Sequence, residues 1–143
     1  MEVILIRHAK AEARDANSWP DDDQRPLTVE GRAEQRAAAR AMKKMGIKFD
    51  FLVTSPLLRA RETADLVAKG YRWTEAPQVA EELGHEPDLS DLAGALISKN
   101  CDVNIAVKKS GVVGIEFDGP AEAGKGTLLY HLKPGHLRKL GEA

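Results

Sequence analysis

Cysteine is nearly absent from this sequence, and its scarcity excludes two common kinds of stabilisation. The single Cys101 cannot form a disulfide within the chain. No cluster of cysteine and histidine has the spacing of zinc ligands, so the sequence does not predict a structural metal. A chain without disulfides is typical of a reducing compartment.

An excess of charge of one sign is also lacking. The chain has 21 Lys and Arg residues against 22 Asp and Glu residues, which gives a formal net charge of −1. A strongly basic protein attracts nucleic acids and anionic membranes through its overall field, and this chain has no such field. We therefore expect neither nucleic acid nor a membrane as a partner, and any anion site must be built locally.

Long hydrophobic runs are missing as well. The apolar run at residues 3–6 is too short for the core of a signal peptide, has no basic leader and is followed at once by Arg7-His8. We therefore expect a cytoplasmic protein. With 143 residues, of which 43% are hydrophobic and 30% charged, the chain has room for one hydrophobic core. We expect a single domain at residues 1–143.

The apolar and polar patterns predict alternating strands and helices. The run at residues 3–6 is β-branched or aliphatic throughout, which is typical of a strand buried on both faces. Thr28 can cap a helix that ends before Gly46, Ser55-Pro56 can open a second helix, and Ser90 or Asp88 can cap a third. We expect strands at residues 3–6, 49–54, 103–107, 112–117 and 127–132, and helices at about 29–45, 55–69, 88–98 and 134–140.

This order of elements predicts an α/β fold. A right-handed crossover would make the first two strands parallel and bring their carboxyl ends to one edge of the sheet, where open α/β sheets bind ligands. Residues 103–107 and 112–117 would form a hairpin around residues 108–111. We therefore predict a three-layer α/β fold, with a mostly parallel central sheet and helices on both faces.

Three short segments carry candidate functional residues. Arg7 and His8 follow the first buried strand, where an imidazole can react and a guanidinium can hold a phosphate. Arg59 lies in the first turn of the second helix, where free N–H groups favour an anion, whereas Arg61 points to another face. His85 directly precedes the third helix. Each segment taken alone is more often structural than functional.

Taken together, the segments form an ordered set of motifs. RHA-K-A, D-x-RPLT-x-x-G, SP-x-x-RA-x-x-T, GHEPDLS and LKP-x-x-LRKL follow one another from residue 3 to the C-terminus. This set resembles the SixA-like branch of the histidine phosphatases. The resemblance implies a phosphoglycerate mutase-like fold and a phosphate pocket at the matching residues Arg7, His8, Arg59 and His85.

The chemistry implied for this pocket needs no metal and no cofactor. A neutral His8 would attack phosphorus and form a phosphohistidine, which water then hydrolyses. Arg7, Arg59 and a protonated His85 would stabilise the charge on the phosphoryl oxygens. The acidic run at residues 21–23 is interpreted as a solvated stretch, because three consecutive carboxylates do not converge on one ion.

Three further residues are candidates with alternative roles. Relatives that act on alkyl phosphates use a carboxylic acid to protonate the leaving oxygen, and Glu81 stands about where they carry it. Glu81 and Glu82 are equally compatible with simple exposure. Arg25 and Ser55 could contact the substrate, although Arg25 also suits a packing or capping role.

The resemblance implies a phosphorylated protein as substrate, such as a histidine phosphotransfer domain. Two alternatives stay open, a phosphatase of a small phosphorylated molecule and a phosphoprotein-binding module with weak turnover. In the family resembled, a buried strand precedes the second histidine, but residues 78–84 have no β-branched run. We therefore predict that a segment between about Tyr71 and His85 is deleted from this protein or absent from this sequence.

Overall fold

A computed structural model describes residues 1–83, 88–100 and 102–143 of the chain. The described part contains five strands, four α-helices and two short 3₁₀ helices. The strands are β1 (Glu2–Ile6), β2 (Val53–Thr54), β3 (Gln78–Val79), β4 (Val112–Glu116) and β5 (Thr127–Leu132). The α-helices are α1 (Val29–Lys44), α2 (Leu58–Tyr71), α3 (Leu89–Ile97) and α4 (Pro134–Glu142), and the 3₁₀ helices are Asp22–Gln24 and Glu81–Leu83.

The described strands form two separate sheets. Strand β4 lies between β1 and β5 and is antiparallel to both, whereas β2 and β3 form a parallel pair. The expected mostly parallel central sheet is therefore not confirmed in the described part of the chain. The physical reason is that a continuous apolar run indicates burial on both faces, which is independent of the direction of the neighbouring strand.

The three-stranded sheet has helices on both faces, and alternate residues of β1 separate the two sides. Ile4 and Ile6 pack against a cluster formed with α1 and α4, whose buried members are Ala38, Ala41, Met42, Ile47, Val112 and Leu137. Val3 and Leu5 pack against a second cluster on the face of α3, formed by Ala93, Ile105, Val107, Val113, Ile115 and Phe117. This alternation follows from the two-residue period of a strand, and the α/β character of the fold is confirmed.

The helices agree closely with their sequence signals. The Thr28 side chain accepts a hydrogen bond from the Gly31 N–H, and Gly46 follows the end of α1 with a φ of +74°. Asp88 caps α3 by accepting a hydrogen bond from the Ser90 N–H. Helix α2 begins at Leu58, three residues later than expected.

Two expected strands differ from the structure. Residues 103–107 form no strand, so the predicted hairpin is wrong, and Ile105 and Val107 are instead buried beside α3. Strand β2 begins only at Val53, and the Phe49 ring ahead of it stacks on Trp73 at a centroid distance of 4.9 Å. In both places tertiary packing of apolar side chains overrides the strand propensity of the segment.

A short strand at residues 78–79 lies just before the position of the predicted missing segment. Gln78 and Val79 form a two-residue strand beside β2, and both residues are exposed. His85 and the junction at Gly84 lie outside the described residues, so the omission stays a prediction. Among the described residues, no helix is long and apolar enough to cross a membrane.

Helix α1 approaches the chain that follows His8 very closely at Gly31. A methyl group at this position would overlap the carbonyl oxygen of Lys10, which belongs to backbone and cannot rotate away. Beside this contact, Ala9, Ala11, Leu27 and Leu66 form a small buried cluster between the loop and α2. The missing side chain of Gly31 therefore allows the loop after His8 to lie directly on α1.

We expect Gly31→Ala to lower the free energy of unfolding by roughly 1–3 kcal/mol, because the added methyl group must displace backbone. Gly119→Ala is the matched control, since a methyl group there has no neighbour within 4 Å. Urea denaturation measures both changes. Equal midpoints for Gly31→Ala and the wild type would contradict this account of the contact.

Candidate functional site

His8 lies just beyond the end of β1, with its ring partly buried. Its Nδ1 is 2.7 Å from the carbonyl oxygen of Ala9. A carbonyl oxygen can only accept a hydrogen bond, so Nδ1 carries the proton and donates it. In the neutral ring this leaves the lone pair on Nε2, which has no hydrogen-bond partner among the described residues.

The surroundings of His8 favour its neutral form. Burial of the ring lowers its pKa most, and the positive charges of Arg59, Arg7 and Lys109 lower it further. The hydrogen bond to Ala9 raises the pKa of His8, but the pKa stays below its ordinary value. The Nε2 lone pair is therefore available near neutral pH.

Arg7 is held against the loop that precedes β4. Its Nη1 donates to the carbonyl oxygen of Val107 at 2.7 Å, and its backbone N–H donates to Gly111 at 3.1 Å. The Val107 N–H in turn donates to the Ser90 hydroxyl of α3 at 3.1 Å. One side of the Arg7 guanidinium is thus fixed, and its remaining donors have no partner among the described residues.

Arg59 reaches the same region from the first turn of α2, and it is only 6% exposed. Its Nη1 donates to the backbone oxygen of Asp22 at 3.0 Å and lies 3.5 Å from that residue's Oδ2. Its Nε–H is buried and has no partner in the described part of the chain. A buried donor without an acceptor is rare and costly, and it is typical of a position where a ligand binds.

A buried pair of hydrogen bonds joins the two halves of the site. The Ala9 N–H donates to Thr63 Oγ1 at 3.1 Å, and that hydroxyl donates to the carbonyl oxygen of Arg59 at 2.7 Å. Thr63 thereby ties the residue after His8 to the turn of α2 that carries Arg59. The expected parallel pairing of the first two strands is not confirmed, because β1 and β2 belong to separate sheets among the described residues. The residue after His8 is instead joined to α2.

The acidic run at residues 21–23 is more than a solvated stretch. The Asp22 carboxylate accepts a hydrogen bond from Arg25 Nε at 2.9 Å, and this bond, together with the charges of Arg25, Arg59 and Arg14, lowers the Asp22 pKa. Arg25 is buried and also donates from Nη1 to the carbonyl oxygen of Glu12 at 2.7 Å. Its contacts are those of a residue that holds the loop.

Three other candidates from the sequence, Ser55, Glu81 and Arg61, form no hydrogen bond or ion pair with His8 in the described part of the chain. The Ser55 hydroxyl accepts a hydrogen bond from the Leu57 N–H at 3.3 Å, ahead of α2. Glu81 is exposed on its 3₁₀ helix and forms no hydrogen bond or ion pair within the described residues, and Arg61 is exposed as expected. His85 lies outside the described residues. No cluster of potential metal ligands occurs in the described part.

Sequence reasoning missed several residues around His8. Thr63 was visible only as part of the SP-x-x-RA-x-x-T motif, at the i+4 position from Arg59, where a threonine hydroxyl can bond the preceding turn. Asp88 was predicted only as a cap, yet the charges of Arg7 and His8 contribute to its lowered pKa, after its bond to the Ser90 N–H. The amino end of α3 therefore lies near His8.

A comparison with known families bears directly on this arrangement. The model of the histidine phosphatase superfamily (branch 1) matches residues 3–96 of the chain. The chain belongs to this superfamily. The family expected from the motifs is thereby confirmed.

Relatives in the superfamily differ in their length and description. The chain is 30% identical over 141 residues to an uncharacterized protein of Picosynechococcus sp., with 80% of this chain and 84% of that protein covered. It is 40% identical over 95 residues to a 2,3-bisphosphoglycerate-dependent phosphoglycerate mutase of Methylobacterium sp. (strain 4-46). That match covers 64% of this chain and 44% of the mutase, so the chain spans less than half the length of such relatives.

Solved structures share the fold over nearly the whole chain. The protein histidine phosphatase SixA, solved in complex with tungstate, matches with a TM-score of 0.80 and 23% identity, covering 96% of this chain and 99% of that one. A putative phosphohistidine phosphatase SixA from Agrobacterium tumefaciens matches with a TM-score of 0.74 and 19% identity, covering 93% and 97%. At these identities the likeness concerns the fold.

We expect His8 in the ligand-free protein to titrate below 6.5, the ordinary value for histidine, because burial and the nearby cations disfavour its charged form. The imidazole proton signals in a series of NMR spectra at different pH values measure this, and His8→Ala identifies the His8 signal by its loss. A midpoint at or above 6.5 would contradict the electrostatic description of the site.

Proposed function

We propose that this protein is a metal-independent phosphatase that hydrolyses phosphohistidine in a protein through a phosphorylated His8. The observation that carries the proposal is the buried Nε–H of Arg59, which has no partner among the described residues. The charge of Arg59 also acts on a neutral His8 ring whose Nε2 has no partner among those residues either. A phosphoryl group beside Nε2 would supply the acceptor that this donor lacks.

In the first step the Nε2 lone pair of His8 forms a bond to phosphorus, and the bond from phosphorus to the substrate's imidazole nitrogen breaks. The leaving ring takes the electron pair and departs as neutral imidazole when its other nitrogen carries a proton. This leaving group needs little acid catalysis. The exposed position of Glu81 is compatible with that chemistry.

In the second step water attacks the phosphoryl group, the bond to Nε2 breaks, and inorganic phosphate is released. Arg59 and Arg7 stabilise the charge on the phosphoryl oxygens in both steps, as cations do in other phosphoryl-transfer enzymes. The uncapped first turn of α2 adds N–H groups that favour an anion. We also propose that a protonated His85 assists in both steps, as the resemblance to the family implies; His85 itself lies outside the described residues.

The comparisons support this proposal in two ways. The structures of SixA proteins share the fold, and one of them holds tungstate, which like phosphate is a tetrahedral oxyanion. The similarity to phosphoglycerate mutases favours a second candidate, a phosphatase or mutase of a small phosphorylated metabolite. Turnover of a phosphorylated histidine phosphotransfer domain, compared with turnover of 3-phosphoglycerate, distinguishes the two candidates. Binding without turnover would instead indicate a phosphoprotein-binding module.

We expect His8→Ala to abolish the release of phosphate, because no other group replaces the nucleophile. Rapid denaturation during turnover should trap acid-labile, base-stable phosphate on the wild type and none on the variant. His136→Ala is a matched control, because His136 is exposed on α4. This variant should trap as much phosphate as the wild type. Full activity of His8→Ala would overturn the mechanism.

We expect Arg59→Ala to reduce kcat/KM by about 10²-fold or more, as the loss of a donor to the transition state does in other enzymes. Arg61→Ala removes the same group from an exposed position on the same helix and should change kcat/KM little. Arg7→Ala should resemble Arg59→Ala. Steady-state kinetics with each variant tests this, and equal effects at Arg59 and Arg61 would contradict the assignment.

We expect vanadate to inhibit the wild type, because it resembles the pentacoordinate transition state, and we expect EDTA to have no effect. Activity assays with each reagent measure both responses. Activity that is lost on chelation and restored by Mg²⁺ would indicate a metal-dependent mechanism and would refute the proposed one.

A further inference from the structure

The turn at residues 108–111 is clamped onto the backbone of Arg7 and His8. The Ser110 N–H donates to the carbonyl oxygens of Arg7 and His8 at 3.1 and 3.3 Å, and the Arg7 N–H donates back to Gly111 at 3.1 Å. Ser110 is buried and has a φ of +59°, a backbone conformation that residues other than glycine rarely adopt. Lys108 and Lys109 are therefore held by a rigid turn directly beside the site.

A shallow, open groove lies beside the site at this turn. Its volume is about 450 Å³, and it is lined by Arg7, Lys10, Glu34, Lys108, Lys109 and Pro134. Arg7 belongs to both the groove and the candidate site, and the charge of Lys109 acts on the His8 ring. The groove and the phosphoryl site are thus adjacent, so one substrate could contact both.

The groove carries an excess of positive charge. Lys10 is paired with Glu30 at 2.7 Å, and Glu34 lies 3.9 Å from Arg138. Neither Lys108 nor Lys109 forms an ion pair within residues 1–83, 88–100 and 102–143, and both are exposed. Two unpaired ammonium groups beside Arg7 make the groove complementary to carboxylates.

We propose that Lys108 and Lys109 bind acidic side chains that flank the phosphohistidine of a phosphoprotein substrate. This inference rests on the proposed function and adds to it the class of protein that the site selects. The hydrogen-bonded turn fixes the backbone that carries the two lysines beside the site, so the groove can contribute to recognition of the substrate. Attraction between exposed charges also raises the rate of encounter and weakens with added salt.

The test compares two synthetic phosphohistidine peptides, one with Asp and one with Asn at the positions flanking the phosphohistidine. At low ionic strength we expect the wild type to hydrolyse the Asp peptide with a kcat/KM about tenfold higher, mainly through KM. Lys108→Glu should abolish or reverse this preference, and added salt should reduce it in the wild type. Because the same bond is broken in both peptides, the ratio is insensitive to changes in the chemical step.

Lys125→Glu is the matched control. It introduces the same change of charge in the loop between β4 and β5, at the end of the sheet away from Ile6, and it should leave the peptide preference as in the wild type. Lys108→Arg keeps the charge and should also retain the preference.

Four outcomes would overturn the inference. The first is equal hydrolysis of the two peptides by the wild type, in which case the inference alone fails. The second is a ratio of the two kcat/KM values that Lys108→Glu leaves unchanged. The third is an equal loss of preference in Lys125→Glu, which would indicate the overall field rather than the groove. The fourth is hydrolysis of neither peptide by the wild type, in which case the proposed function fails and the inference fails with it.

Discussion

The hydroxyl of Thr63 connects the two segments on which the site depends. It accepts the Ala9 N–H and donates to the carbonyl oxygen of Arg59, all within a buried region. A buried N–H without an acceptor would cost about 1–3 kcal/mol, so the loop after His8 is held where this hydroxyl is found. In a continuous sheet, pairing of neighbouring strands would hold these two segments together. Because β1 and β2 share no ladder among the described residues, the contact with α2 holds them together instead.

Concentrated positive charge is the main electrostatic constraint on this region. Arg7, Arg59 and Lys109 all act on the His8 ring, and the partly buried Asp22 neutralises part of this charge through its contacts with Arg25 and Arg59. Burying a guanidinium is costly unless its donors have partners. An anion at Nε of Arg59 would lower that cost. Burial of the His8 ring does most to lower its pKa, and the same cations lower it further. The charges that favour an anion therefore also favour the neutral, nucleophilic form of His8.

Local signals predicted the parts of the fold that depend on local interactions. Thr28 and Asp88 cap their helices as expected, because a cap bonds to backbone only a few residues away. The run at residues 3–6 was correctly predicted as a strand with helices on both of its faces. Its antiparallel partner β4 was not, since pairing depends on a segment more than a hundred residues distant. Residues 103–107 show the same limit, because burial beside α3 can be satisfied without strand pairing.

The superfamily, the helices and the choice of Arg7, His8 and Arg59 as candidates could be read from the amino-acid sequence alone. These depend on motifs, caps and the position of each residue at the end of a strand or the start of a helix. Three features became known only from the folded structure: which nitrogen of His8 holds the proton, that Arg59 has a donor without a partner in the described part of the chain, and that Asp22 contacts that arginine. The physical reason is that a hydrogen bond or an ion pair depends on which distant groups become neighbours after folding. Residue type determines what a group can donate or accept, and the fold determines whether a partner is within reach.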